Sequence, residues 1–177
     1  MKTPIKIAII GAGSATFSTR IVKDLCLCKG LYGAQVTFMD IDEKRLDMIA
    51  ALAARMAGEL QAVYAFEKTT DRARALDGAD YVINSAQIGG HAYAESCRNL
   101  GTEHGYYRGT WLHYLRQMVF FTEVARDMER LCPKAVQIMS ANPVFEGCSL
   151  LHRVSPIQTI GLCHGHCDIE KVGRKLF

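Results

Sequence analysis

The sequence has no apolar run long enough to span a bilayer, and its N-terminus turns into a strand pattern too soon to be a secretory signal. It has no marked excess of one charge either: 21 Lys and Arg against 18 Asp and Glu leave a formal +3, spread along the chain. That balance offers no electrostatic footing for nucleic acid or a membrane surface. Internal repeats and low-complexity linkers are also missing, so solenoid and tethered multidomain organisations are excluded. The seven cysteines are an odd number scattered through predicted strands and helices with no secretory signal, and they read as mostly reduced thiols. Cys26 and Cys28, two apart on a predicted helix, do not face one another and read as packing residues. What remains is a globular chain expected in the cytoplasm. Its 177 residues, 49% hydrophobic and 22% charged, suffice for one domain with a real core.

The most informative stretch is the first turn, Gly11-Ala12-Gly13-Ser14-Ala15-Thr16, which follows the apolar run Ile5–Ile10 and opens a helical pattern. Two glycines there let the backbone turn tightly and let a pyrophosphate approach main-chain N–H groups at a helix N-terminus, where the dipole favours negative charge. The full fingerprint has a third small residue where this chain carries Thr16. Ser14 is a natural N-cap, and a second strand, Val36–Met39, ends at Asp40. A carboxylate at that place accepts hydrogen bonds from both ribose hydroxyls of NAD and repels a 2′-phosphate. Gly11, Gly13, Ser14, Ala15, Thr16 and Asp40 are therefore the candidate NAD-binding residues; the alternative is a plain strand-turn-helix without a ligand.

Strand and helix patterns alternate, which argues for a parallel sheet covered on both faces, doubly wound in the order 3-2-1-4-5-6. The strands are expected at about 5–10, 35–40, 63–68, 81–84, 135–139 and 157–162. Helices are expected at about 15–29, at about 43–62 with Asp42 as cap, and near 71–77, 92–103 and 111–131. On the last of these, Leu112, Leu115, Val119, Val124 and Met128 are expected to face the core, and His113 to lie at the surface. The carboxyl ends of the later strands carry Asn84 with the Gly89-Gly90 turn, then Ser140-Ala141-Asn142-Pro143, then Cys163-His164-Gly165-His166-Cys167. Open α/β sheets bind ligands at such ends, making Asn84 a candidate cofactor neighbour. Pro143 restricts Asn142 to extended backbone, so Asn142 either aims at a ligand or caps the next helix. Gly105-Tyr106-Tyr107-Arg108-Gly109 suits a binding loop or a plain connection with packed tyrosines. In extended chain Cys163 and Cys167 share one face and the two histidines the other, so the five-residue run cannot by itself close one tetrahedral metal site.

Taken in order, the first turn, Ile88-Gly89-Gly90-His91, Gly105–Gly109, Ala141-Asn142-Pro143-Val144-Phe145-Glu146-Gly147 and Gly161-Leu162-Cys163-His164-Gly165-His166 resemble glycoside hydrolase family 4 over nearly the whole chain. The Cys-His-Gly-His run is most similar to that of the NAD- and manganese-dependent α-glucosidases acting on unphosphorylated sugars. The resemblance implies a redox-assisted route outside the two-carboxylate scheme of most glycosidases. NAD takes hydride from C3 of the sugar, the acidified C2 proton is removed while a divalent metal, manganese, holds the C2 and C3 oxygens, and the leaving group departs by elimination. Water then adds and the hydride returns. Carried over by position, Cys163 ligates the metal, Asn142, His164 and Arg108 contact the sugar, and His164 is the candidate catalytic residue. Residues 1–177 then form the NAD-binding, Rossmann-like domain, and the family's C-terminal region, with a further histidine ligand and the C2 base, is expected to be absent. The chain is thus expected to bind NAD without the complete metal and proton-transfer set, to self-associate as a homo-oligomer, and to have a small sugar as its partner. Alternatives are a hydroxy-acid dehydrogenase of the lactate and malate type and a non-catalytic NAD-binding fragment.

Overall fold

The computed structural model describes residues 4–106 and 111–163. The first strand, β1 (Lys6–Ile10), leads through the glycine turn to α1 (Ala15–Leu27); after a short 3-10 turn come β2 (Gln35–Met39) and α2 (Glu43–Glu59). β3 (Ala65–Thr69), α3 (Arg72–Leu76), β4 (Tyr81–Asn84), α4 (Gly90–Glu103) and α5 (Trp111–Leu131) follow, then β5 (Val136–Met139), α6 (Val144–Val154) and β6 (Thr159–Gly161). The strands form one sheet in the order β3-β2-β1-β4-β5-β6, and every pairing is parallel. The order in which strands are added reverses between β1 and β4, the point at which open α/β sheets open a ligand crevice.

The side-chain period of two divides the core into layers. Ile7 and Ile9 of β1 pack with Val36 and Phe38 of β2 under Val22, Leu25, Leu46, Ile49 and Ala53 of α1 and α2. Ala8 and Ile10 face the other way, joining Val82, Leu76, Val124, Met128 and Cys132. Phe38 is fully buried and stacks on Phe66 with ring centroids 5.6 Å apart, tying the edge strand β3 to the centre. A third cluster, Phe121, Ala125, Met139 and Leu151, fills the space among α5, β5 and α6. Both short-range caps read from sequence are present: Ser14 Oγ accepts from Phe17 N–H at 3.5 Å and Asp42 Oδ1 from Arg45 N–H at 3.1 Å. Cys26 is a packing residue, as expected, whereas Cys28 is exposed.

The buried face of α5 departs from the apolar reading. Leu115 and Val119 are 69% and 61% exposed, while His113 is only 5% exposed and Gln117 is fully buried. The inward stripe runs His113, Gln117, Phe121, Val124, Ala125 and Met128, which keeps helical spacing but begins with two polar residues. The Leu112 side chain lies outside the described residues. α2 ends at Glu59, short of the expected boundary, because the chain turns out through Gln61 at φ 53°. The sequence reading has α6 only as the next helix in the capping alternative for Asn142, without bounds: Gly147 interrupts its helical pattern, yet Gly147 is buried and the Phe121 ring lies against it. Among the described residues no helix is long and apolar enough to cross a membrane.

Candidate functional site

The turn after β1 is held from three sides. Gly11 N–H and Ala12 N–H both donate to Met39 C=O at 2.9 Å, so the turn is bonded to the end of β2. Ser85 N–H donates to Ile10 C=O at 2.9 Å, which binds it to the end of β4. From below, the buried Ser18 hydroxyl donates to Ala12 C=O at 2.6 Å. Ser18 was not among the sequence candidates; its position four residues after the cap, on the inward face of α1, is the signal that could have found it.

Gly11 sits at φ +85°, and a Cβ there would lie 2.5 Å from Ala86 N, so only glycine brings the β1 and β4 loops this close. Gly13 N–H donates to Asp40 Oδ2 at 2.8 Å, and a Cβ on Gly13 would strike the same carboxylate. Asp40 Oδ1 accepts from Asp42 N–H at 3.1 Å. The carboxylate at the end of β2 is thereby fixed against the glycine turn, 27 residues away in sequence. Ala15 and Thr16 are exposed in the first turn of α1, where helical amides have no partner within the helix, and no acidic side chain in that turn competes for them.

At the end of β4, Asn84 is fully buried. Its Oδ1 accepts from Ala86 N–H at 3.2 Å, while its C=O accepts from Ser140 N–H and Ala141 N–H at 3.0 Å each. Asn84 Nδ2 has no acceptor among the described residues. A buried amide donor without a partner is costly unless it is completed by a ligand or water. Asn84 thus joins the β4 and β5 loops, with its buried Nδ2 amino group unpartnered among the described residues. Asn142 follows β5 on an exposed bend, joined to Pro143 by a cis peptide; the N-cap of α6 is Pro143, without a side-chain bond, so the capping alternative for Asn142 is not what the structure shows.

Cys163 lies two residues past β6, whose end is bonded to β5 through Leu162 N–H and Met139 C=O at 2.8 Å. Because all six strands are parallel, Gly11, Gly13, Asp40, Asn84, Asn142 and Cys163 are all delivered to one rim of the sheet. Arg108, His164, His166 and Cys167 lie outside the described residues. Among the described residues no group of three or more His, Cys, Asp or Glu is placed to hold a metal ion. A groove of about 430 Å³ that includes none of these rim residues is lined by Arg72, Glu123, Arg126, Asp127, Glu129 and Arg130. Burial pushes the Asp127 carboxyl up, but hydrogen bonds from Arg72 and Arg130 outweigh it and hold the group below its usual range. The arginines and carboxylates of that groove offset one another, and it offers no chemistry comparable to the rim.

The profile described as "Family 4 glycosyl hydrolase" matches residues 6–176. An α-galactosidase of Bacillus subtilis (strain 168) is 31% identical over 173 residues, covering 90% of this chain and 39% of that protein. An α-glucosidase of Erwinia rhapontici is 27% identical over 176 residues, covering 94% of this chain and again 39% of the relative. Among solved structures, the 6-phospho-β-glucosidase of Thermotoga maritima, determined with manganese, NAD+ and glucose-6-phosphate, superposes with a TM-score of 0.86 at 20% identity, over 98% of this chain and 44% of that one. The chain therefore spans well under half the length of these relatives. With the six-stranded order, the glycine turn and a match extending over nearly all its residues, this chain belongs to family 4 of the glycosyl hydrolases.

Proposed function

We propose that this chain is the NAD-binding part of a redox-assisted α-glycosidase, with unphosphorylated α-glucosides as its substrates. The observation that carries the reading is the placement of Asp40 against Gly13 at the N-terminus of α1, beside the β1–β4 switch point. The residues fit the dinucleotide. Gly11, Gly13, Ser14, Ala15 and Thr16 would hold the pyrophosphate at exposed helix amides, Asp40 would take the adenosine ribose hydroxyls, and the unpartnered amide of Asn84 would be satisfied by the cofactor. When bound there, NAD supplies reversible hydride transfer at sugar C3, which acidifies the proton on C2. The carboxylate of Asp40 excludes a 2′-phosphate by charge, and the buried Ser18 and Ser85 hydroxyls keep the turn's carbonyls occupied so that its shape is set before the cofactor arrives.

A divalent metal, manganese in the related Thermotoga enzyme, fits the described residues less completely. Cys163 is the candidate ligand, and among the described residues no group of three or more His, Cys, Asp or Glu is placed to hold a metal ion, so it would draw on donors outside them. Asn142, on the adjacent strand end, would donate to and accept from sugar hydroxyls. Preference for α-glycosides is supported by relatives named α-galactosidase and α-glucosidase, and glucosides over galactosides by the Cys163-His164-Gly165-His166 run.

Calorimetric titration tests the core of the reading. NAD is expected to bind, with NADP at least about tenfold weaker because the Asp40 carboxylate opposes the added phosphate. Absence of NAD binding, or equal affinity for NADP, would overturn it. For the activity, NAD-dependent release of p-nitrophenol from the α-glucoside without net NADH is the supporting result at the protein's native length. Accumulation of NADH with a hydroxy acid would instead mark a dehydrogenase.

A further inference from the structure

We propose that Gln117 is a positioning residue for the dinucleotide crevice: from α5 it fixes the β4 loop, and through that loop the clearance over the glycine turn. The inference rests on the NAD reading above. Gln117 is fully buried, and both ends of its amide are used on the same short segment. Its Nε2 donates to Ala86 C=O at 2.6 Å, and its Oε1 accepts from Ile88 N–H at 3.0 Å. Residues 85–87 are in no strand or helix, so this side chain stands in for the ladder partner that two successive outward backbone groups would otherwise need. A leucine would fill the same volume more cheaply; a buried amide is useful here only because those two groups must be held.

What the clamp holds is the wall of the crevice. Ala86 is the residue whose backbone a Gly11 Cβ would strike, so the place of Ala86 sets how closely the β4 loop overlies the first turn. Among the described residues the hydrogen bonds of the Gln117 side chain go to the β4 loop and not to the glycine turn; it acts on the crevice through Ala86. Its neighbours on the same face of α5 act alike. His113, one turn earlier, meets the Tyr93 ring edge-on at 5.9 Å near the start of α4, and Phe121, one turn later, lies against Gly147 of α6, the helix that follows Asn142. One face of α5 thus gauges the segments that follow both β4 and β5.

The test compares the unmodified chain with Gln117→Met, which keeps length and loses both bonds, and Gln117→Glu, which keeps the acceptor. NAD affinity is measured by calorimetry at a temperature where each protein is fully folded, alongside hydrogen exchange of the peptide covering 85–89. The expected result is at least a tenfold rise in Kd for Gln117→Met with faster exchange confined to 85–89, and a rise for Gln117→Glu as well, because a carboxylate oxygen in place of Nε2 then faces the Ala86 carbonyl. A residue that served stability alone would lower the melting temperature and leave Kd of the folded protein unchanged, which overturns the proposal. Should neither variant fold, the unmodified chain still decides: NAD must slow exchange in 85–89, and bound NAD without that protection overturns it. Failure of the unmodified chain to bind NAD would be a different result, removing the cofactor reading on which the clamp's purpose depends.

Discussion

Replacing Gly11 with alanine puts a number on how tightly the two loops of the crevice are pressed together. The new methyl would sit at φ +85°, a conformation that costs an L-residue about 1–2 kcal/mol. It would also stand 2.5 Å from Ala86 N, short of ordinary contact by about 1 Å. Ala86 cannot recede without stretching its bonds to Asn84 Oδ1 and Gln117 Nε2 or pulling Ser85 from Ile10, each worth about 1 kcal/mol net. Together these place the destabilisation at about 3–5 kcal/mol, a lowering of Tm by about 6–20 °C for a chain of this size. Thermal unfolding followed by circular dichroism measures it directly. Gly13→Ala is the control, since the atoms nearest its Cβ belong to the Asp40 side chain, 2.7 Å away, which can swing aside for the loss of the bonds it accepts from Gly13 and Asp42 N–H. That variant should lose about 1–2 kcal/mol, or about 2–8 °C, while NAD affinity falls with the displaced carboxylate. A Gly11→Ala protein melting within about 2 °C of the parent would refute the reasoning, because the close approach would then not be built into the fold.

Asp40→Asn removes the charge that opposes a 2′-phosphate while keeping an acceptor for Gly13 N–H; NAD should weaken by about 5- to 100-fold and its advantage over NADP should shrink, both read by calorimetry. His113 gives a pH signature. Burial lowers its pKa from an ordinary 6.5, and Nδ1 has no partner among the described residues, so the folded protein holds the ring neutral. Below about pH 6.5 the unfolded chain takes up a proton that the folded chain resists, so this residue's share of stability is whole above that pH and falls as the solution is acidified toward the lower folded value. His113→Phe keeps an aromatic edge for Tyr93 and should flatten the fall in Tm as the pH drops below about 6.5; an unchanged slope would show that another group titrates there.

The sheet order was legible because its determinants are local: an apolar run, a glycine turn, a Ser14 or Asp42 cap, each acting within a few residues. The β1 side of the candidate site was legible for the same reason, down to Asp40 at the end of β2. The β4 side was not. His113 and Gln117 are polar residues on a buried helix face, and a reading that follows apolar spacing assigns that face to Leu115 and Val119, which the fold leaves in solvent. What buries Gln117 is a pair of backbone groups near residue 87, about thirty positions away, whose need for partners exists only once β4 has ended and the chain runs on through residues 85–87 outside strand and helix. The extent of α6 was hidden by a similar long-range fact, since Gly147 weakens the helix locally and packing of the Phe121 ring against it offsets that.

Gly11 and Gln117 meet at one residue from opposite sides, and this makes their perturbations interdependent. The methyl of Gly11→Ala presses Ala86 away from the turn; the amide of Gln117 holds Ala86 in place through its carbonyl. If the clamp is what turns the close approach into strain, releasing it must relieve part of that strain. The double variant Gly11→Ala with Gln117→Met should therefore lose less stability than the two singles predict, by a coupling of about 1–2 kcal/mol, since the bond given up to accommodate the methyl is already absent. Strict additivity, measured by a double-mutant cycle on urea unfolding, would mean that Ala86 is held by Asn84 and Ser85 alone, and that α5 packs beside the crevice without setting its width.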